Sequence, residues 1–209
     1  MWKNNNYESF DHFLEFFSSR NRKNLKKERR KINDQNLEIK RFSGNQISSD
    51  QVDDFYSFYV DTHLKRSGHS GYLNKDFFKR ITKNIPDNIL IILAYKDSRA
   101  VAGSFFFYDQ NNLYGRYWGA SNDYDALHFE CCYYQGIDFC IEKNIKKFDP
   151  GVQGEHKIKR GFEPTFTFSS HWIENYDFSL AINDFLLRED KYIKDYHQDA
   201  STLLPFKDL

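Results

Sequence analysis

Apolar positions recur along this chain with two periods, and the switches between them lay out the elements. Residues 8–34 carry Phe10, Phe13, Leu14 and Phe17 at helical spacing, then only Leu25 and Ile32, which predicts a helix broken near Ser18-Ser19. Residues 37–43 alternate as a strand. Over residues 48–65, Val52, Phe55, Tyr56, Tyr59 and His63 form one stripe behind a Ser48 or Ser49 N-cap, so an amphipathic helix is expected. The loop Gly68-His69-Ser70-Gly71 leads to another helix, residues 74–85, stopped by Pro86.

Three strands follow at 88–95, 100–108 and 112–119, joined by Asp97-Ser98 and by Asp109 to Asn112, which predicts an antiparallel meander. Residues 125–143 then read as one long helix: Phe129, Cys132, Tyr133, Gly136, Ile137, Cys140 and Ile141 keep the i, i+3, i+4, i+7 rule. That stripe places Cys132 and Cys140 in the core and Gly136 against a sheet. A short strand at 147–149, a short helix at 155–160 closed by Gly161, and a strand at 165–173 come next. A closing helix, 178–197, is expected to pack through Ile182, Phe185, Leu186, Ile193 and Tyr196. The chain divides into an N-terminal helical arm, 1–36, and an α/β domain, 37–209.

Composition refines this picture. Among 209 residues, 18% are aromatic, with 21 Phe and 14 Tyr against one Met, so the core is built of rings. Three cysteines, two of them adjacent, make no disulfide framework and point to a reducing compartment. No apolar run reaches membrane-spanning length and the N-terminus lacks a signal-peptide core, so a cytoplasmic protein without membrane contact is expected. The formal net charge is zero, yet residues 20–31 hold eight basic residues against Glu28 alone. That stretch is either a solvated helix face or an arm that holds phosphates.

The order β, α, α, three β, α, β, short α, β is that of the GNAT acyltransferase superfamily. Particular residues narrow it: Leu113-Tyr114-Gly115-Arg116-Tyr117-Trp118-Gly119-Ala120, then Leu127-His128-Phe129-Glu130. They are followed by Gly151-Val152-Gln153-Gly154-Glu155-His156-Lys157, Lys159-Arg160-Gly161-Phe162 and Ser170-His171-Trp172. Together they resemble the FemAB-like family of bacterial N-acyltransferases, linked to peptidoglycan biosynthesis or recognition. The resemblance implies a GNAT-like fold with a central mixed, largely antiparallel sheet flanked by helices. It also implies that the chain corresponds to the second of two GNAT-like halves, completed by a missing N-terminal half or by a homodimer.

Acyl transfer to an amine needs a held donor carbonyl, a base for the amine proton and a donor group for the oxyanion. The loop Gly151 to Gly154 before a helix start offers backbone N–H groups to an anion. Lys157 and Arg160 share a face of that helix and Lys159 points elsewhere. By position before Gly161-Phe162, Lys159 or Arg160 inherits, through the resemblance, the lysine that faces the reacting carbonyl; otherwise these are cations favoured at a helix C-terminus. His156 is the best base candidate. His128 and Glu130 open the long helix, where the GNAT fold binds its cofactor, and complete the candidate catalytic set. Arg116, Trp118, Gln153, Gly154, Glu155, Lys157 and His171 are the candidate substrate contacts. A zinc site of His128, Glu130, His156 and His171 is disfavoured, because His-x-Glu on a helix sets its side chains about 200° apart.

The run Arg116 to Ser121 approximates the GNAT pyrophosphate loop but ends in Ser, and Arg116 falls within the strand. The resemblance therefore leaves two acyl donors, acyl-CoA and aminoacyl-tRNA, the second served by the basic helix at 20–31. The acceptor is an amine. The rival function is a non-catalytic half that binds a substrate or nucleic acid.

Overall fold

The computed structural model describes residues 1–152 and 154–207. The chain separates into two compact units, Trp2–Val152 and, with Met1, Gln153–Leu209. The division lies at 152/153, and the basic helix falls within the larger unit.

In the larger unit the expected elements appear: α1 (Phe10–Glu15), α2 (Ser19–Asp34), α3 (Ser49–Ser67) and α4 (Lys75–Asn84). Ser9 and Asn74 cap α1 and α4, and Ser48 with Gln51 forms a capping box on α3. Six strands, β1 (Trp2–Lys3), β2 (Glu38–Ser43), β3 (Ile89–Lys96), β4 (Arg99–Tyr108), β5 (Asn112–Ala120) and β6 (Lys147–Asp149), form one sheet in the order β1-β6-β5-β4-β3-β2. Every pairing is antiparallel except β5 with β6. β3, β4 and β5 are the predicted meander.

β3 is apolar without alternation, and Ile89 to Ala94 are fully buried, because helices cover both of its faces. Neighbouring residues of β4 show the two sides. Phe105 packs on Phe55 and Phe78 from α3 and α4, while Ser104 donates to the Cys131 carbonyl at 2.9 Å on the other side. α3 lies directly on β5: a Cβ on Gly119 would come 2.2 Å from the Phe58 carbonyl oxygen.

The long helix differs from expectation in its first half. It comprises α5 (Leu127–Phe129), a π-helical turn at Glu130–Tyr134 and α6 (Gln135–Glu142). Tyr133, Gly136, Ile137 and Cys140 are buried as expected, and Gly136 packs against Phe148. Entering the π turn the buried face is shifted by one residue, so Glu130 and Cys131 are inside and Phe129 and Cys132 only half-buried. One extra residue in a turn rotates the preceding side chains by about 100°.

In the smaller unit, Glu155–Arg160 forms a 3-10 helix ended by Gly161 at φ 86°, and Tyr176–Ser201 forms α7, capped by Asn175. Residues 165–173, expected as a strand, are irregular, and Phe168 is 94% exposed. Of the residues expected to pack α7, Ile182 is half-buried, whereas Phe185, Leu186, Ile193 and Tyr196 are exposed. Among the described residues no helix is long and apolar enough to cross a membrane.

Candidate functional site

β5 and β6 pair over only three positions, Asn112–Tyr114 against Lys147–Asp149. Beyond Gly115 the strands part, and β5 runs on to Ala120 with no strand on that side among the described residues. Where they part, β5 carries a bulge. Phe105 faces Tyr117 and Phe106 faces Gly115, so Arg116 is the extra residue. Its guanidinium lies 4.9 Å from the centre of the Tyr117 ring, and its side chain is exposed. An open strand edge with a bulge at its start is a place where backbone N–H and C=O groups await a partner.

A run of aromatic rings leads from the bulge across α3 to the loop before α4. Tyr117 stands edge-on to Tyr59 at 5.4 Å, Tyr59 lies 4.5 Å from His63, and His63 lies 5.7 Å from His69. Tyr72 meets His69 at 4.9 Å and His63 at 6.2 Å, and is itself 87% exposed. The loop is pinned. Gly68 turns α3 off in the left-handed region, and the Tyr59 hydroxyl accepts from the Tyr72 and Leu73 N–H groups at 3.1 and 3.2 Å. Gly71, at φ 93°, lies against Tyr59 so closely that a Cβ would come 2.5 Å from its ring. Burial raises the Tyr117 hydroxyl above the usual phenol range, and the neighbouring Arg116 pulls it back.

On the opposite face, Trp118 packs edge-on against His128 at 5.4 Å, and His128 meets Tyr133 at 5.3 Å. Glu130 does not join them. It is buried and takes a forked pair of bonds from Arg29, at 2.9 and 3.2 Å, and a third from Gln135 at 2.7 Å. Arg29 also reaches Asp138 at 2.7 Å and lies 4.5 Å over the Phe10 ring. Burial raises the Glu130 carboxyl above the ordinary range, and Arg29 draws it partly back. This carboxylate anchors α2 to the π turn and is not presented for proton transfer. The two residues of the His-x-Glu pair thus serve different neighbours, as their angular separation requires.

Other cations of α2 are also spoken for: Lys26 pairs with Asp11 at 2.7 Å and Lys31 with Asp125 at 2.6 Å. Arg20, Lys23, Lys27 and Arg30 follow one another at helical spacing on the outer face, all exposed.

The remaining candidates lie in the smaller unit. Lys157 and Arg160 are buried together and Lys159 is exposed, matching the expected faces. Arg160 donates to the His156 carbonyl at 2.8 Å. His156 folds back over Gly154, whose absent Cβ would meet the ring at 2.3 Å. Desolvation, then Arg160 and Lys157, push the imidazole below its usual range, so it is neutral at pH 7. Glu155 accepts from the Tyr196 hydroxyl at 2.9 Å. His171, placed by the sequence on a strand, lies on an exposed irregular stretch with Nε2 3.0 Å from Ser169 Oγ. Gln153 lies outside the described residues. The described residues hold no cluster of three or more metal-ligating side chains. Sequence reasoning missed His69, Tyr72 and the exposed edge of His63: His63 was read as part of a buried stripe, and the Gly-His-Ser-Gly loop as a connector.

One solved structure shares the fold, and others are similar more loosely. A possible acetyltransferase from Clostridium difficile 630 is 13% identical, with a TM-score of 0.50 over 66% of this chain and 99% of that one. A predicted acetyltransferase with acetyl-CoA from Clostridium acetobutylicum is 12% identical, with a TM-score of 0.47 over 66% and 95%. L-PGS from Bacillus licheniformis is 16% identical, with a TM-score of 0.46 over 66% and 44%. No curated protein matches the sequence. The family profile described as FemAB-like, peptidoglycan biosynthesis/recognition, matches residues 1–208, and the chain belongs to the FemAB-like family.

Proposed function

We propose that the protein is an N-acyltransferase that moves an acyl group from an activated donor to an amine, with the donor lying along the open edge of β5. The observation that carries this reading is the parting of β5 from β6 at the Arg116 bulge. An extended donor arm with amide groups pairs with residues 116–120 as an added strand would, and so satisfies the unpaired backbone. Its reacting carbonyl then comes to the bulge, between the Arg116-Tyr117 pair and the fork of the two strands.

The donor is an acyl thioester such as acyl-CoA or an aminoacyl ester on tRNA. The cationic ridge of Arg20, Lys23, Lys27 and Arg30 spans about 15 Å of helix and suits a polyanion. The acidic pair Asp123 and Asp125 before α5 suits a pyrophosphate less well. The test is a two-donor assay: labelled acetyl-CoA and labelled aminoacyl-tRNA, each with a panel of primary amines. Label appearing in an amide product from either donor supports the reading and names the donor. Binding of amine or RNA without transfer from either donor would favour a recognition half without chemistry.

A further inference from the structure

The ring cluster at the end of α3 contains two imidazoles of unequal chemistry. His69 has its Nδ1 lone pair occupied by the Gly71 N–H at 3.1 Å, so its proton sits on Nε2 and that edge is a donor. His63 makes ring contacts with Tyr59, His69 and Tyr72 but no hydrogen bond among the described residues, which leaves it an open acceptor lone pair. Both rings are half-buried, and Tyr72 stands over them as an exposed shelf. The pinning of this loop to Tyr59 is an arrangement that fixes the rings rather than one that fills a core.

From this asymmetry we infer that His63 is the general base of the reaction, and that His69 and Tyr72 hold the amine acceptor against it. The inference rests on the acyl-transfer reading above and adds the acceptor side to it. The base lies at the far end of the ring run from the Arg116 bulge, with Tyr59 and Tyr117 between, so the acceptor enters from the α3–α4 loop and reaches toward β5. The acceptor is a neutral primary amine. Its nitrogen attacks the donor carbonyl carbon, a C–N bond forms, and one N–H proton passes through bridging water beside the Tyr117 and Tyr59 rings to His63. The C–S or C–O bond to the donor then breaks, and the leaving thiolate or alkoxide takes the proton from His63, which returns to its neutral form. His69 donates from Nε2 to an acceptor atom on the amine's carrier, and the Tyr72 face holds the carrier's apolar side.

The test has a binding arm and a rate arm. In the binding arm, imidazole NMR signals are followed at pH 8 while glucosamine, glycinamide, lysine amide and spermidine are added in turn. At least one amine is expected to move the His63 and His69 signals together, and Tyr72→Ala to weaken that binding several-fold without loss of fold. No movement of either imidazole by any of the four overturns the proposal, whatever the enzyme's activity. In the rate arm, His63→Gln lowers kcat about 100-fold or more for the best amine and changes KM less than threefold. Unchanged kcat in a folded His63→Gln enzyme overturns the base assignment while leaving acyl transfer standing. Absence of transfer by the wild-type protein fails the acyl-transfer reading instead, and the NMR arm still decides whether the cluster holds an amine.

Discussion

The two faces of the sheet use their polar side chains in opposite ways. Under α2 and the π turn, Arg29, Glu130, Asp138 and Gln135 are closed on one another and spend their bonding capacity within the fold. At the end of α3, His63, His69 and Tyr72 are held by rings and backbone bonds yet keep edges turned outward. Glu130 drew attention in the sequence because the family resemblance implies a cofactor near the start of the long helix, and the structure gives it an anchoring task. His63 and His69 were not read as candidates there. A titratable residue is a functional candidate only after its partners have been counted.

The sharpest way to break this contrast is to open the closed face. Arg29→Ala strands Glu130 and Asp138, and is expected to cost roughly 3–5 kcal/mol, as removal of one partner from a buried pair does. Thermal unfolding with and without Glu130→Gln in the same chain checks it, since the second change should restore much of the loss. Its pH dependence has a defined sign. Without Arg29 the folded-state carboxyl of Glu130 rises further above its unfolded value, so stability is greatest when Glu130 is protonated and falls as pH climbs through that raised value. An Arg29→Ala melting temperature that is flat between pH 5 and 8 contradicts the buried-charge account.

A second change probes the contact between α3 and the site strand. Gly119→Ala pushes a methyl group toward the Phe58 carbonyl, and is expected to destabilise by about 1–3 kcal/mol or more, by overpacking. It should also shift the β5 edge and lower donor binding. Denaturant unfolding and a donor titration measure the two effects separately.

The outer ridge of α2 should behave differently from its inner face. Replacing Arg20, Lys23, Lys27 and Arg30 by Gln is expected to change stability by no more than about 0.5 kcal/mol per site. The same change should flatten the salt dependence of polyanion binding, because fewer counterions are released. Arg22 and Lys26 are poorer choices for this purpose, since Arg22 is half-buried and Lys26 pairs with Asp11. The smallest effect concerns the thiols. Cys132 should react first with a thiol reagent in the native protein, whereas burial pushes the Cys131 and Cys140 thiols up and keeps them unreactive until unfolding.

That last contrast shows where sequence reading stopped. The break between α1 and α2, the Ser48 cap, the β3–β5 meander and the Gly136 contact all follow from local periodicity and turn chemistry. The π turn does not, because a single added residue leaves the apolar count unchanged while rotating everything before it. The alternation of Thr165, Phe166, Thr167 and Phe168 looks like a strand, but alternation only proposes a strand and a pairing partner must complete it. The anchoring of Glu130 depends on a residue 101 positions away, which no local pattern reveals. His63 and His69 are six positions apart, and only the left-handed turn at Gly68 brings the second ring back to the first.

Donor binding along the open edge of β5 is tested most directly by a backbone amide map of labelled protein titrated with acetyl-CoA and, separately, with an aminoacylated RNA minihelix. One of these donors is expected to move the amides of residues 116–120 strongly while those of β2, residues 38–43, stay in place. If both donors bind and leave residues 116–120 unmoved, the donor does not lie on β5 and the proposed arrangement of the reaction is wrong.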